Sequence, residues 1–153
     1  MSTQTLGIPH DGIDRLANII MSMQRCFMMH LSEELSHGQV SFPQFFLLGH
    51  IVNGQSLSMT EIAELMSHTT AAATGLVDRL ENLGYVRRSH DEGDRRRVLV
   101  QTTQKGDELV SRIRADIVQK LTDVMEVLTP SEQLSWLRIY EKIYHHITCS
   151  DHS

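Results

Sequence analysis

Four groups of side chains in this 153-residue chain have types and spacings that could do chemistry. The stretch "SHTTAAATGLVDRLENLGYVRR", residues 67–88, has no charge between His68 and Asp78, ends in two arginines, and is followed by three more at "DRRR". Thr69, Thr70, Ala71, Ala72 and Thr74 give it a low surface of methyls and hydroxyls, which can come close to base edges and phosphates. Arginines nearby can reach phosphates or a narrow minor groove. In a second group, His30, Glu33, Glu34 and His37 fall on neighbouring turns of one helix, while His145 and His146 stand four and three residues before Cys149. Both spacings can offer two ligands to one metal. Cys26 is a candidate thiol, and Met23, Phe27, His30 and His50 are candidates to line an adaptable apolar pocket.

Each chemical reading has a structural counterpart. A sensor thiol needs a lowered pKa and access. Arg25 is adjacent to Cys26 but cannot face it on a helix, and Met23 and Phe27 suggest an apolar setting, so Cys26 is expected to be buried and inert. Met21, Met23, Phe27, Met28 and Met29 are expected to be packing residues. Asp78 and Arg79 read as an internal ion pair bracing their helix. Of Arg87 and Arg88, one is expected to be solvated. Val77, Leu76 and Leu80 read as core.

Composition narrows the class. Hydrophobic residues make up 41% and charged residues 22%, an ordinary globular balance. No apolar run approaches a membrane span, and "MSTQTLGIPH" lacks the pattern of a secretion signal, so a cytoplasmic protein is expected. Two cysteines are too few for a disulfide framework. Aromatic residues at 5% argue against stacking on single-stranded nucleic acid. There is no Gly-rich phosphate loop, nucleophile elbow or catalytic metal motif, so no enzyme and no cofactor is expected. The net charge of −5 is unevenly placed. Residues 79–105 hold seven basic and four acidic residues, leaving seven basic and fifteen acidic elsewhere. A basic segment on an acidic body can still meet a polyanion.

The elements that would position these groups follow from periodicity and caps. Ile13, Leu16, Ile20, Met23, Phe27, Leu31 and Leu35 recur at steps of three and four, which predicts an amphipathic helix over 11–36, ended by Gly38. Ser41 with Gln44, and Ser58 with Glu61, have capping-box spacing. Thr69 or Thr70 can cap a further helix to about Asn82, before Gly84. "YVRRS" and "RVLVQ" flank "HDEGDR" and predict a two-stranded hairpin with a basic tip. Leu109, Ile113, Ile117, Leu121, Val124 and Leu128 mark a long helix. Thr129, Pro130 and Glu132 open a last one with Leu134, Leu137, Tyr140, Ile143, Tyr144 and Ile147 on its apolar face. The fold class is mainly α with a small β-hairpin wing, a winged helix-turn-helix lobe joined to a helical lobe. A helix of that kind fits the major groove of duplex DNA, and the wing would supply the charge that the helix lacks.

The segments "LSMTEIAELM", "LVDRLENLGYVRR" and "DRRRVLVQTTQKG" together resemble the MarR (multiple antibiotic resistance regulator) family of bacterial transcription factors, and the helix order extends the likeness over nearly the whole chain. The resemblance implies a homodimer built from residues 11–36 and 104–148, with 41–103 as the DNA-binding region in one compact unit. It implies a recognition helix at 69–82 with Thr69, Thr70, Ala71, Ala72 and Thr74 toward the DNA. It also implies an Asp-x-Arg wing in which Asp94 and Arg96, flanked by Arg95 and Arg97, serve the minor groove. The expected partners are a pseudo-palindromic double-stranded operator, a second copy of the chain, and a small apolar or phenolic anion as effector, with no membrane and no metal. The expected activity is repression relieved by that effector.

Two alternatives accompany this reading. One is a redox- or zinc-responsive sensor using Cys26, Cys149 or the histidine clusters, although histidines on dimer helices often make simple hydrogen bonds. The other is a winged helix that binds protein without DNA. The chain departs from the family pattern where other members carry a long polar residue and it has Thr70 and Gly75. Glycine inside a helix costs roughly 1 kcal/mol relative to alanine, so close packing or DNA approach is expected at Gly75.

Overall fold

A computed structural model describes residue 7 and residues 9–67, 69–91 and 93–150, without the side chains of residues 10, 149 and 150. The order is α1 (His10–His37), α2 (Phe42–Ile51), β1 (Ser56–Ser58), α3 (Met59–Leu65), α4 (Thr70–Asn82), β2 (Val86–His90), β3 (Val98–Thr102), α5 (Gln104–Met125) and α6 (Pro130–Ser150). The chain forms two compact units, Met1–Ile113 and Arg114–Ser153. Among the described residues, no helix is long and apolar enough to cross a membrane.

Local chemistry explains where the short helices begin. The Ser41 hydroxyl accepts from the Gln44 N–H, while the Ser41 N–H donates back to Gln44 Oε1 at 2.8 Å. Ser58 and Glu61 close the same box on α3, with the Ser58 N–H 2.7 Å from Glu61 Oε2. Thr69, not Thr70, caps α4, its hydroxyl accepting from the Ala72 N–H. Each such cap satisfies helix-end donors that would otherwise be unpaired. In the second unit, Glu132 closes the box on Thr129 at the start of α6.

The sheet has three strands, not two. β1 and β2 both pair antiparallel with β3, in the order β1-β3-β2, with Leu57 opposite Val100 and Arg88 opposite Val100 on the other side. Three residues, "SLS", are too few to show alternation in a sequence. Their partner strand lies more than forty residues away, so the pairing is a tertiary fact.

The core of the first unit lies under the wing. Leu47, Leu48, Ile51, Ile62, Val77, Leu80, Val100 and Ile113 are wholly buried, and Leu31 and Leu35 bring the last turns of α1 onto them. Full burial of one such side chain contributes roughly 1.5–3 kcal/mol. Leu76 is half-buried rather than core. The rest of α1 is different. Met21, Met23, Phe27, Met28 and Met29 are all exposed in the single chain, Met21 and Met29 at over 60%, so they are no part of its core.

Close approaches account for two glycines. A Cβ on Gly38 would come within 2.9 Å of Leu109 Cδ1, and the left-handed residue after α1 is Gln39, at φ 57°. A Cβ on Gly106 would stand 2.2 Å from the Tyr85 carbonyl oxygen. Beside it, the Thr103 N–H donates to that carbonyl at 3.0 Å, and the Thr103 hydroxyl donates to the Gly84 carbonyl at 2.6 Å and accepts from the Gly106 N–H. This packing gives the sequence "TQKG" its physical meaning. Gly106→Ala is expected to destabilise the protein by about 3 kcal/mol, the upper end for overpacking, because backbone cannot rotate aside. Gly49→Ala, at a site open to solvent, should be neutral or stabilising by up to about 1 kcal/mol. Urea unfolding of both variants checks the contrast.

Candidate nucleic-acid interface

The orientation of α4 is fixed by its back. Ala73, Val77 and Leu80 recur at helical spacing and are fully buried. The opposite face therefore carries Thr70, Ala71, Ala72, Gly75, Asp78 and Arg79, all exposed. Thr69 is exposed with its hydroxyl engaged in the cap, and Thr74 is half-buried with its hydroxyl donating to the Thr70 carbonyl at 2.8 Å. Among the threonines of this helix, Thr70 is the one whose hydroxyl has no partner among the described residues. A Cβ on Gly75 would meet nothing within 4 Å, so close packing inside the chain does not explain that glycine.

The wing is folded by its own aspartates. The Asp94 carboxylate accepts from the Arg96 N–H at 3.0 Å, the Asp94 carbonyl accepts from the Arg97 N–H at 2.9 Å, and the Asp91 carboxylate accepts from the Gly93 N–H at 2.8 Å. Asp94 is a turn-former. Arg95 and Arg96 are exposed and, among the described residues, have no side-chain partner. Arg97 differs: its Nη2 lies 3.0 Å from both Glu61 carboxylate oxygens, and its Nη1 lies 3.9 Å from Asp91 Oδ2. By sequence alone Arg97 belongs with the groove-facing arginines Arg95 and Arg96. The structure engages its guanidinium inside the lobe.

Glu61 therefore serves two elements. It closes the cap of α3 and holds Arg97 of the wing. The hydrogen bonds from the Ser58 hydroxyl and N–H, then the Arg97 guanidinium, stabilise its ionised form and lower its pKa to about 2. Between α3 and the wing runs an open groove of about 700 Å³, lined in part by Thr60, Glu61, Glu64, Arg96 and Arg97.

A second ion cluster joins α4 to β2. Arg88 Nη2 lies 2.6 Å from Asp78 Oδ1, Arg88 Nη1 pairs with Glu81, and the Arg88 N–H donates to Glu81 Oε1 at 3.2 Å. Partial burial opposes the charged form of Arg88, but the two carboxylates outweigh it and hold its pKa above the ordinary value. The expected Asp78–Arg79 pair is thus replaced by Asp78–Arg88, since helix neighbours one apart point in different directions. Arg87 is the exposed member of its pair, donating to Gln101 at 3.3 Å.

The remaining candidates are spread out. Met23, Phe27 and His30 are exposed along α1, whereas the His50 Nδ1–H on α2 donates to the Phe46 carbonyl at 2.9 Å with its ring against Phe46. His30 faces Glu33 at 4.0 Å and His37 faces Glu34 at 3.8 Å, two separate pairs. Among the described residues, no three potential ligands converge as a metal site, and the Cys149 side chain lies outside the described residues. Cys26 is exposed, correcting the expectation of a buried thiol. Its apolar neighbours Met23 and Phe27 are themselves uncovered, so they cannot enclose it.

The sequence pattern that defines the MarR family matches residues 39–97. The HTH-type transcriptional regulator YfiV of Bacillus subtilis (strain 168) is 38% identical over 94 residues, which are 61% of this chain and 59% of YfiV. The chain thus aligns with less than two thirds of that relative's length. The HTH-type transcriptional repressor MdtR of the same organism is 28% identical over 131 residues, 84% of each chain. The crystal structure of YusO from Bacillus subtilis superposes with a TM-score of 0.73 at 27% identity, covering 90% of this chain and 99% of that one.

The depressed pKa of Glu61 makes a pH prediction. Its contribution is fully present above the unfolded-state value of 4.5 and is lost as pH falls through about 2. Glu132, lowered by its bonds from Thr129, acts with the same sign. Urea midpoints measured from pH 7 to pH 2 should stay level down to about pH 4.5 and then fall, and Glu61→Gln should make that acid limb shallower. An unchanged limb would show that the carboxylate titrates normally.

Proposed function

We propose that the chain is a helix-turn-helix transcriptional regulator of the MarR family, whose pattern matches residues 39–97, and that it acts as a homodimeric repressor of a pseudo-palindromic operator. The observation that carries this reading is the pairing of the low, uncharged first half of the exposed face of α4, Thr70 to Gly75, with two arginines on the adjacent wing, Arg95 and Arg96, that have no side-chain partner among the described residues. A duplex can receive α4 in its major groove while the wing lies along the flanking minor groove. In this reading Thr70, Ala71 and Ala72 face base edges, with Thr69 and Thr74 beside them. Arg96 enters the minor groove, Arg95 contacts phosphate, and Asp94 shapes the turn that presents both. Base discrimination rests on methyl contacts and DNA shape.

The dimer reading is supported by what the single chain leaves uncovered. Leu16, Ile20, Met23 and Phe27 on α1, and Leu134, Leu137, Ile143, Tyr144 and Ile147 on α6, are all at least 40% exposed. These are the residues whose spacing marks the apolar stripes, and a stripe of this size asks for a partner. Residues 11–36 and 104–148 would supply the interface and residues 41–103 the DNA contact. Two half-sites one helical turn apart then bind a dimer whose lobes have the matching separation. A small apolar or phenolic anion seated near Met23, Phe27, His30 and His50 would favour a different separation and release the DNA. The repressor MdtR among the relatives supports the sign of the effect.

Binding of labelled duplexes from around its own gene, followed by fluorescence anisotropy at several salt concentrations, tests the reading. One fragment should bind tightly, with a log–log salt slope of several units, and Arg96→Ala should weaken it by roughly 1–3 kcal/mol. Equal binding to random DNA and an unaffected Arg96→Ala would overturn it. Gly75→Ala should raise stability by about 1 kcal/mol as helix propensity requires, yet lower operator affinity if the glycine serves DNA approach. Ile143→Glu should shift the protein from dimer to monomer in analytical ultracentrifugation and abolish tight binding to the full operator.

A further inference from the structure

We propose that Glu61 and Arg97 form a positioning clamp that holds the wing arginines Arg95 and Arg96 at a fixed distance from α4. The proposal deepens the DNA-binding reading and rests on it. Arg97 is one residue from Arg96 and two from Arg95, and its guanidinium is seated on both oxygens of a carboxylate 36 residues away, at 3.0 Å each. That carboxylate is itself fixed, because the Ser58 N–H and hydroxyl both donate to it at 2.7 Å. Ser58 is in turn the end of β1, paired with Leu99 of β3. Strand, cap and wing thus form a closed loop of contacts: β3 to β1, β1 to Glu61, Glu61 to Arg97, and Arg97 back into β3.

The pair is poorly placed to serve stability alone. The two side chains are 45% and 43% exposed, and ion pairs in that setting contribute little to folding. Its effect is geometric. A two-stranded ribbon twists and bends readily beyond its neighbours, and the wing extends past β1. Arg97 pins it to α3 at the residue before β3 begins. The groove between α3 and the wing has Arg96 and Arg97 on its lining together with Thr60 and Glu64, so the clamp sets its width. The hold is a charge-assisted one, with a single nitrogen, Nη2, shared by both Glu61 oxygens while Nη1 is turned toward Asp91. Arg97 acts through its neighbours; Arg95 and Arg96 are the groups offered to DNA.

Glu61→Gln separates the clamp from the cap. Glutamine closes a capping box as glutamate does, while the charge that holds Arg97 is removed. The full-length dimer is compared as wild type, Glu61→Gln, Arg97→Gln, the double variant and Arg97→Lys. The readouts are anisotropy on the operator fragment and on random duplex, with hydrogen exchange of the wing amides in the absence of DNA. Each of the two single glutamine variants should weaken operator binding about 5–10-fold, and the double variant no further, as expected for one coupled interaction. Binding to random duplex should stay within about twofold, because non-specific affinity follows total phosphate contacts. Wing amides should exchange faster in all three glutamine variants, and Arg97→Lys should restore most of the operator affinity.

If Glu61→Gln instead tightened binding and steepened the salt slope while Arg97→Gln weakened it, Arg97 would be a DNA contact released by the mutation. Additive losses, or unchanged wing exchange, would also overturn the clamp. A wild-type protein that prefers no fragment would overturn the DNA reading, and the exchange measurement would still decide whether the clamp orders the wing.

Discussion

The structure of the first unit depends on the crowded junction at Tyr85. Its hydroxyl donates to the Gly38 carbonyl at 2.9 Å, where α1 ends. Its carbonyl accepts from Thr103 at the start of α5 and lies against Gly106. Its N–H donates to the Leu80 carbonyl at the end of α4, and its ring carries the Lys105 ammonium 4.7 Å from the centroid. One residue thus fixes where α1 stops, where α4 hands over to the sheet and where α5 begins. Gly84, at φ 77°, makes the turn into it possible, since that conformation is costly for a side chain with a Cβ. Once these ends are pinned, burial of Ala73, Val77 and Leu80 leaves a single rotation for α4. Its exposed face, low and uncharged from Thr70 to Gly75, points outward as a consequence.

The charge pattern acquires meaning only when the pairs are known. The basic segment looks like seven equivalent cations in the sequence, but the fold divides them. Arg88 is neutralised by Asp78 and Glu81, Arg97 by Glu61 and Asp91, and Lys105 caps the Leu83 carbonyl. These groups hold α4, β2, β3 and α3 in register with one another. Arg95 and Arg96 are left at the tip, on a turn stiffened by Asp91 and Asp94. Acidic residues engage the structural arginines, while Arg95 and Arg96 have no side-chain partner among the described residues.

The terminal helices show the opposite economy. α1 and α6 have clear amphipathic periodicity, yet the α6 stripe, and the α1 stripe from Leu16 to Phe27, remain uncovered in the single chain. The same exposure decides the environment of Cys26 and of the methionines around it. An apolar neighbourhood in sequence does not make a buried one in space, because burial requires a second surface and periodicity describes only the first.

The sequence by itself determined the order of the helices, their starts at Ser41, Ser58, Thr69 or Thr70, and Thr129, the wing hairpin, and the low first half of the α4 face. Caps and amphipathic stripes are interactions between residues three or four apart, so the residues that make them are written side by side. Only the tertiary structure decided that "SLS" is a third strand, that Asp78 faces Arg88 rather than Arg79, and that Arg97 is braced by Glu61 while Arg95 and Arg96 have no side-chain partner among the described residues. It also decided that Cys26 is exposed and that Gly106 must lack a side chain. The pairings among these depend on segments brought together across ten, thirty-six or more residues. Such a meeting is fixed by how buried faces pack, a condition on the whole lobe that no local spacing carries.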